Sequence, residues 1–165
     1  MGSSKVELFL DHIVAAARPV FDEVVAVDRA AGSEIPGIRT IFEEPHEGEA
    51  AVFGVVRALQ DARGKAFLLA VDYPLVTADV LRYLRDREGM PQWNGHPQPL
   101  CAVWDAAALP EIEERIARRA FDLRTAGGQA MIPESELRAR FPGEPLMNVN
   151  TPEEWDRAQR FLASR

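Results

Sequence analysis

The sequence lacks the features of a disulfide-rich, zinc-binding or membrane-spanning protein. Its 165 residues include one cysteine, Cys101, and three scattered histidines, which form neither a disulfide framework nor a clustered zinc site. The longest uninterrupted apolar run, 66–71, is far shorter than the roughly 20 residues that a membrane span needs. No basic-then-apolar leader opens the chain. We therefore expect a protein of the reducing cytoplasm with no membrane partner.

An excess of basic residues is also absent. The 19 Lys and Arg against 26 Asp and Glu give a formal net charge of -7 at pH 7. A protein that holds a nucleic-acid backbone non-specifically needs the opposite sign, because phosphates attract Lys and Arg. Nucleic acid is therefore not an expected partner. The 47% hydrophobic content, at this length, suffices for one globular domain with its own core.

Short β-branched runs alternate with amphipathic helical segments along the chain. The patterns predict strands at 23–28, 39–42, 65–71 and 100–104, helices at 9–17, 49–61, 78–87, 110–119 and 152–162, and a loop at 89–99. The last helix is the best defined, because Thr151, Pro152 and Glu154 carry the sequence signature of a capping box. Such alternation predicts an α/β fold with a mostly parallel sheet and helices on both faces.

Asp72 is the sharpest candidate for a functional residue. It directly follows the most apolar predicted strand and precedes Tyr73 and Pro74, so its carboxylate is expected at the carboxyl edge of a central strand, where such sheets bind ligands. Mg²⁺ takes one or two carboxylates and completes its coordination with water and substrate phosphates, so one Asp is compatible with a Mg-nucleotide site. The alternative is that Asp72 only turns the chain or caps the helix that begins near Ala78.

Other polar residues are weaker candidates. Glu43 ends the preceding strand and, with its neighbours up to Glu49, forms an acidic rim that is solvated by default. Asn148 and Asn150 lie on the same side of an extended segment, where they can bind a heterocycle or a ribose or serve as turn residues. Lys5 can pair with a phosphate or remain in solvent.

No pair of a catalytic nucleophile and a general base can be identified from the sequence. His96, for example, has no nameable Ser, Cys or carboxylate partner. A reaction that relies on positioning and metal electrostatics, such as nucleotidyl transfer, remains open. Neither G-x-G-x-x-G nor G-x-x-x-x-G-K-[ST] occurs in the chain to bind phosphates.

Four segments carry a resemblance to a known family. They are M-G-S-S-K at 1–5, V-D-Y-P at 71–74, Q-P-L-C-A-V-W at 98–104 and N-V-N-T-P-E-E at 148–154. In these segments, and in their order, the sequence resembles the molybdenum cofactor guanylyltransferases, the MobA-like family. The resemblance implies a single nucleotidyltransferase domain over 1–165, with a three-layer, doubly wound, Rossmann-like fold of the nucleotide-diphospho-sugar transferase type. It also implies transfer of GMP from GTP to molybdopterin, with release of pyrophosphate.

The resemblance also implies roles for particular residues. Asp72 matches the catalytic aspartate that binds Mg²⁺, and Lys5 matches the catalytic lysine that contacts the nucleotide. Asn148 and Asn150 match the amides on the molybdopterin side, and Glu43 falls where the family usually has an Asp near the guanine nucleotide. Mg²⁺ is then the expected cofactor, GTP and molybdopterin are the substrates, and molybdoenzymes or other cofactor-biosynthesis proteins are possible transient partners.

Two departures from the family pattern leave alternatives open. The opening strand with its L-A-G-G-x-x-x-R loop is absent, and so is the G-x-P loop expected between Leu8 and Phe9. One interpretation is that the sequence joins ordered segments and omits mobile ones. A true deletion would instead expose unpaired strand edges. The alternative functions are a CTP-dependent molybdopterin cytidylyltransferase, GTP transfer to another phosphorylated acceptor, and a non-catalytic molybdopterin-binding domain if the loop is truly absent.

Overall fold

The computed structural model describes residues 3–29, 35–46 and 50–163, with side chains from Phe9 onward. The helices are α1 (Ser3–Ala17), α2 (Ala51–Ala62), α3 (Ala78–Arg87), α4 (Leu109–Ala117), α5 (Glu134–Arg140) and α6 (Pro152–Ala163). The strands are β1 (Val25–Asp28), β2 (Arg39–Phe42), β3 (Lys65–Leu69), β4 (Met90–Trp93), β5 (His96–Pro97), β6 (Cys101–Asp105) and β7 (Met131–Ile132). No helix within the described ranges is long and apolar enough to cross a membrane.

The strands form three separate groups. β1 pairs with β2 in parallel, and β3 pairs with β6 in antiparallel register, with Lys65 opposite Asp105. β4 lies between β5, which is antiparallel to it, and β7, which is parallel. The α/β class is confirmed. The described strand pairs, however, are a mixture of parallel and antiparallel rather than mostly parallel, because the chain reverses between β4 and β6.

Helices cover both faces of the β3–β6 pair. Successive side chains of a strand point to opposite faces, and Phe67 accordingly packs with the apolar residues of α1 and α3, whereas Leu68 packs with those of α2 and α4. In β6, Cys101 likewise packs on the side of α1 and α3, and Ala102 packs on the side of α2 and α4. The protein therefore has the helix–sheet–helix layering that the alternating pattern predicts, with a separate apolar core on each side of the strands.

α3 shows why a local sequence signal is enough to place a helix. Thr77 lies just before it and accepts a hydrogen bond from the backbone N–H of Val80 at 3.4 Å, which satisfies one of the donors left free at a helix start. Val80, Leu81 and Leu84 then recur at helical spacing and are buried. The bounds of α3 are those that the sequence predicts, and they fix the end of the turn that begins at Asp72.

The prediction of a loop over 89–99 is wrong. Residues on either side of Asn94 and Gly95 form strands β4 and β5, and both turn residues have positive φ, 50° and 76°. A two-residue turn of this kind is the common type I′ hairpin connection, and Asn-Gly is its preferred sequence. The prolines and glycines around it favoured a loop, although Met90 and Trp93 of β4 are almost completely buried. Strand β7 and helix α5 were also not predicted from the sequence.

Candidate functional site

Three carboxylates lie at, or just beyond, the carboxyl ends of successive strands. Asp28 is the last residue of β1, Glu43 comes directly after β2, and Asp72 lies three residues beyond β3. The backbone N–H of Glu43 donates to the carbonyl oxygen of Asp28 at 2.9 Å, so the ends of β1 and β2 lie side by side. α2 leads from β2 to β3 and packs against all three strands. Asp28 was missed from the sequence, although an Asp that ends an apolar strand is the same signal that identified Asp72.

Asp72 lies half-buried in the turn after β3. Burial raises the pKa of its carboxyl above the ordinary value, because the charged form loses water. Within the described part of the chain, the carboxylate makes no hydrogen bond or ion pair, and no group of three or more His, Cys, Asp or Glu surrounds it as a metal site. A single desolvated carboxylate without a protein partner fits Mg²⁺ that takes its remaining ligands from water and phosphates.

Asn148 and Asn150 lie beside Asp72 in the structure. Between them, Val149 donates its backbone N–H to the carbonyl oxygen of Asp72 at 2.9 Å. The Asn150 side-chain amide donates to the Asn148 side-chain oxygen at 2.7 Å, so the two amides share one side of the segment, as the sequence predicts. The fold thus brings Asp72 together with the two asparagines, although Asp72 and Asn148 are 76 residues apart in the sequence.

The start of α6 fixes the segment that carries these amides. Glu154 Oε2 accepts hydrogen bonds from the backbone N–H groups of Asn150 at 2.8 Å and Thr151 at 2.9 Å, and Thr151 Oγ1 accepts from the Glu154 N–H at 3.2 Å. The predicted capping box is therefore confirmed. These hydrogen bonds stabilise the carboxylate and lower the pKa of Glu154.

Replacing Glu154 with Ala is expected to lower the free energy of unfolding by about 1 kcal/mol at pH 7, the typical value of a helix cap. Because the pKa of Glu154 is lowered in the folded state, this stabilisation is fully present above the unfolded-state pKa and is lost as the pH falls through the folded-state value. Urea unfolding at pH 7 and pH 3 tests both statements. Glu153→Ala, at an exposed neighbour, is the matched control; an equal loss in both variants would contradict the capping role.

Glu43 does not lie on an open acidic rim. Its side chain is only 11% exposed, and its Oε2 lies 2.6 Å from Nε2 of His46 and 3.8 Å from Nε of Arg29. His46 in turn stacks on Phe53 of α2, with ring centroids 3.6 Å apart. The default expectation of solvated charges is therefore wrong for Glu43 and His46. Glu43 and His46 are only three positions apart, and the part of this arrangement that the sequence did not signal is the stacking of His46 on Phe53 of α2.

Gly54 provides the space that Glu43 occupies. A Cβ atom built on Gly54 would lie 2.8 Å from Glu43 Oε1, which is closer than real side chains approach. Glu43 Oε2 is therefore paired with His46, and Oε1 lies where a side chain at position 54 would displace it.

The role predicted for Lys5 is not tested by the structure. The backbone of Lys5 belongs to α1, but its side chain lies outside the described residues. Residues 47–49, which include the predicted first residue of α2, also lie outside them. The described candidate site therefore consists of Glu43 at the end of β2, and of Asp72 with the two asparagines at the end of β3.

An α/β fold with polar residues beyond the carboxyl ends of its strands is typical of nucleotide-binding domains. More particularly, the chain belongs to the family of MobA-like NTP transferase domains, whose sequence model matches residues 5–134. It is therefore a nucleotidyltransferase, and the family that the four sequence segments indicated is confirmed. No curated protein matches the chain significantly by sequence.

Solved structures show the same fold. Molybdopterin-guanine dinucleotide biosynthesis protein A from Archaeoglobus fulgidus is similar, with a TM-score of 0.77 and 22% identity over 95% of this chain and 86% of that chain. A protein from Aquifex aeolicus VF5 matches with a TM-score of 0.71 and 21% identity, over 90% of this chain and 81% of that chain. These matches confirm the doubly wound nucleotidyltransferase fold.

Proposed function

We propose that the chain is a molybdenum cofactor guanylyltransferase, which transfers GMP from GTP to molybdopterin. The observation that carries the proposal is the backbone hydrogen bond between Asp72 and Val149, because it joins a carboxylate suited to Mg²⁺ to the amides Asn148 and Asn150. Membership of the MobA-like family and the name of the Archaeoglobus fulgidus protein support the choice of substrates.

In this reaction Asp72 holds Mg²⁺, and Lys5 and Glu43 contact the nucleotide. When bound, Mg²⁺ supplies electrostatic stabilisation of the charge on the phosphates. Asn148 and Asn150 hold molybdopterin so that an oxygen of its phosphate approaches the α-phosphorus of GTP in line. A bond forms between that oxygen and the α-phosphorus, the bond to the bridging oxygen breaks, and pyrophosphate leaves with the electron pair. No protein nucleophile is needed, since the protein contributes by positioning and electrostatics.

The half-buried position of Asp72 suits this role. A carboxylate that has already lost part of its water binds a cation at a smaller further desolvation cost, and attraction between charges is stronger where water is excluded. Burial alone disfavours its negative charge, as the raised pKa of Asp72 indicates, and a bound cation reverses that preference. Location in the cytoplasm and transient contact with molybdoenzymes belong to the same proposal.

A transfer assay with GTP or CTP as the donor tests the proposal. Purified protein is incubated with Mg²⁺, molybdopterin and each nucleotide, and the dinucleotide product and pyrophosphate are measured. We expect product with GTP and little with CTP. Product with CTP alone would identify a cytidylyltransferase, and binding of molybdopterin without transfer from either nucleotide would identify a non-catalytic binding domain.

Asn148→Ala and Asn150→Ala are each expected to raise the KM for molybdopterin about tenfold, as loss of one or two hydrogen bonds to a bound ligand does. The KM for GTP should change less than twofold, because the amides lie on the acceptor side in this proposal. Steady-state kinetics with each substrate varied in turn provides the measurement. Gln159→Ala removes an exposed amide from α6, the helix that follows the two asparagines, and serves as the control. Equal loss of affinity for both substrates would contradict the division of roles.

A further inference from the structure

The Glu43 carboxylate has protein partners at only one of its two oxygens within the described part of the chain. Oε2 lies 2.6 Å from Nε2 of His46 and 3.8 Å from Nε of Arg29. Oε1 makes no hydrogen bond to a described residue, and it is not closed off from solvent. The Glu43 side chain is only 11% exposed, so it has lost most of its contact with water. An oxygen without a donor in such a carboxylate is suited to accept a hydrogen bond from a ligand.

His46 can hold Oε2 in one way only. Carboxylate oxygens accept, so Nε2 of His46 carries the proton that lies between the two side chains. The other ring nitrogen, Nδ1, is buried and has no hydrogen-bond partner among the described residues. Rotating the ring by 180° would bring the carbon Cε1 to the place of Nε2 and lose the hydrogen bond. The contact with Glu43 therefore requires the ring orientation that the structure has.

Phe53 of α2 restricts the plane of the His46 ring. The two ring centroids are 3.6 Å apart and the planes differ by 14°. Phe53 also packs against the ring of Phe121, with centroids 5.8 Å apart. Because the imidazole is held against a ring on a different element, Nε2 cannot follow the carboxylate if Glu43 rotates. The direction of Oε1 is thus set by α2 through His46, and not by the end of β2 alone.

We propose that His46, held by its stack on Phe53, is a positioning residue that fixes Oε2 of Glu43 so that Oε1 accepts a hydrogen bond from an N–H or O–H group of the nucleoside of GTP. Glu43 lies at the carboxyl ends of the strands, where sheets of this kind bind ligands. Its negative charge repels the phosphates and suits the nucleoside. The inference rests on the proposed function, which places Glu43 near the nucleotide, and adds the group that orients it.

His46→Phe tests the positioning role, because it keeps an aromatic ring against Phe53 and removes the Nε2–H. We expect the Kd for GTP, measured by isothermal titration, to rise about tenfold, as loss of a hydrogen bond to a charged group does. The kcat at saturating GTP should change less than twofold, since other groups hold the phosphates. His12→Phe, at an exposed position of α1, is the matched control and should change neither constant. An unchanged Kd in His46→Phe would overturn the proposal.

His46→Gln and His46→Asn separate the hydrogen bond from the bulk of the side chain. The amide nitrogen of Gln is as many bonds from the backbone as Nε2 of His, so it can donate to Glu43. The amide nitrogen of Asn corresponds to Nδ1 and falls short. We expect a Kd for GTP within threefold of the unsubstituted protein in His46→Gln and about tenfold higher in His46→Asn. Equal Kd values in the two variants would overturn the positioning role.

The double variant Glu43→Ala/His46→Phe tests whether His46 acts through Glu43. Glu43→Ala alone should raise the Kd for GTP at least tenfold, and adding His46→Phe should then change it less than twofold. Multiplied effects would overturn the proposal. Normal GTP binding by Glu43→Ala, in a protein whose unsubstituted form transfers GMP, would also overturn it and leave the proposed function intact. Absence of GTP binding by the unsubstituted protein would contradict both.

Four GTP analogues identify the group that Oε1 binds. 2′-Deoxy-GTP and 3′-deoxy-GTP each lack one ribose hydroxyl, inosine triphosphate lacks the 2-amino group, and 2-aminopurine riboside triphosphate lacks the N1–H. For the analogue without the contacted group, His46→Phe should raise the Kd less than twofold, against about tenfold for the other three. A tenfold loss with all four analogues would overturn the assignment of Oε1 to the nucleoside.

Discussion

Asp72→Asn is expected to abolish transfer and, at the same time, to make the unliganded protein more stable near neutral pH. The carboxylate is half-buried and has no hydrogen bond or ion pair within the described residues. Its desolvation is therefore uncompensated and lowers the free energy of unfolding. Asn has nearly the same shape and no charge. Turnover should fall at least 100-fold at saturating GTP and Mg²⁺, the typical effect of removing a group that stabilises charge at a reacting centre.

The pH dependence of stability gives a second test of the same substitution. The pKa of Asp72 is raised in the folded state, so folded protein binds this proton more tightly than unfolded protein does. The destabilisation caused by the buried charge is therefore present above the folded-state pKa and disappears as the pH falls below the unfolded value of about 3.9. Asp72→Asn should exceed the unsubstituted protein in stability at pH 7 and match it at pH 3.

Pyrophosphate release and urea unfolding measure the two effects of Asp72→Asn. Asp86→Asn is the control, because Asp86 is exposed, ion-paired with Arg85 and remote from the strand ends. An active Asp72→Asn variant would exclude Asp72 as the Mg²⁺ ligand. A variant less stable than the unsubstituted protein at pH 7 would show instead that Asp72 serves mainly to shape the turn before α3.

The parts of the site that could be predicted from the sequence are those that depend on local signals. The capping box of Thr151 and Glu154 spans four residues, and Asp72 follows an apolar run immediately. The hairpin at Asn94 and Gly95 was equally local, but the surrounding prolines obscured it. In that case the dipeptide that specifies a type I′ turn was the more informative signal.

The contacts that the sequence did not predict join residues from different elements. Glu43 meets Gly54 of α2 because α2 packs back onto β1 and β2, and Tyr73 meets Gln98 across 25 positions. Polar side chains gain specific partners when folding removes them from water, and no periodic pattern marks which partner that is. Candidate residues were thus visible in the sequence, whereas the groups that hold them in place were not.

The site is built so that its two halves share backbone connections. The turn at Asp72 is tied through Val149 to the segment that α6 holds by its capping box. Displacement of the backbone at Asn148 and Asn150 therefore requires either the loss of the Asp72–Val149 hydrogen bond or displacement of the start of α6. In the reaction that we propose, this coupling would favour a fixed distance between the two substrates, which in-line transfer requires.

Gly54→Ala is expected to weaken GTP binding while the fold remains stable. The new methyl group would lie 2.8 Å from Glu43 Oε1, the end of a flexible side chain, so the carboxylate moves away at little cost and loses its contact with His46. In the middle of α2, Ala is also favoured over Gly by about 1 kcal/mol in helix propensity. We expect the KM for GTP to rise on the order of tenfold, as loss of a hydrogen bond to a charged group does, with unfolding unchanged or shifted to higher urea.

Glu43→Asp should compensate for the added methyl group, because it withdraws the carboxylate by one methylene from the position that Cβ would occupy. The double variant Glu43→Asp/Gly54→Ala is thus expected to bind GTP more tightly than Gly54→Ala does, as measured by isothermal titration. Gly64→Ala is the control, since a Cβ atom built on Gly64 has its nearest neighbour at ordinary contact distance, 3.9 Å. Normal GTP binding by Gly54→Ala would show that Glu43 does not contact the nucleotide. Failure of the shorter acid to restore binding would show that displacement of Glu43 is not the cause of the loss.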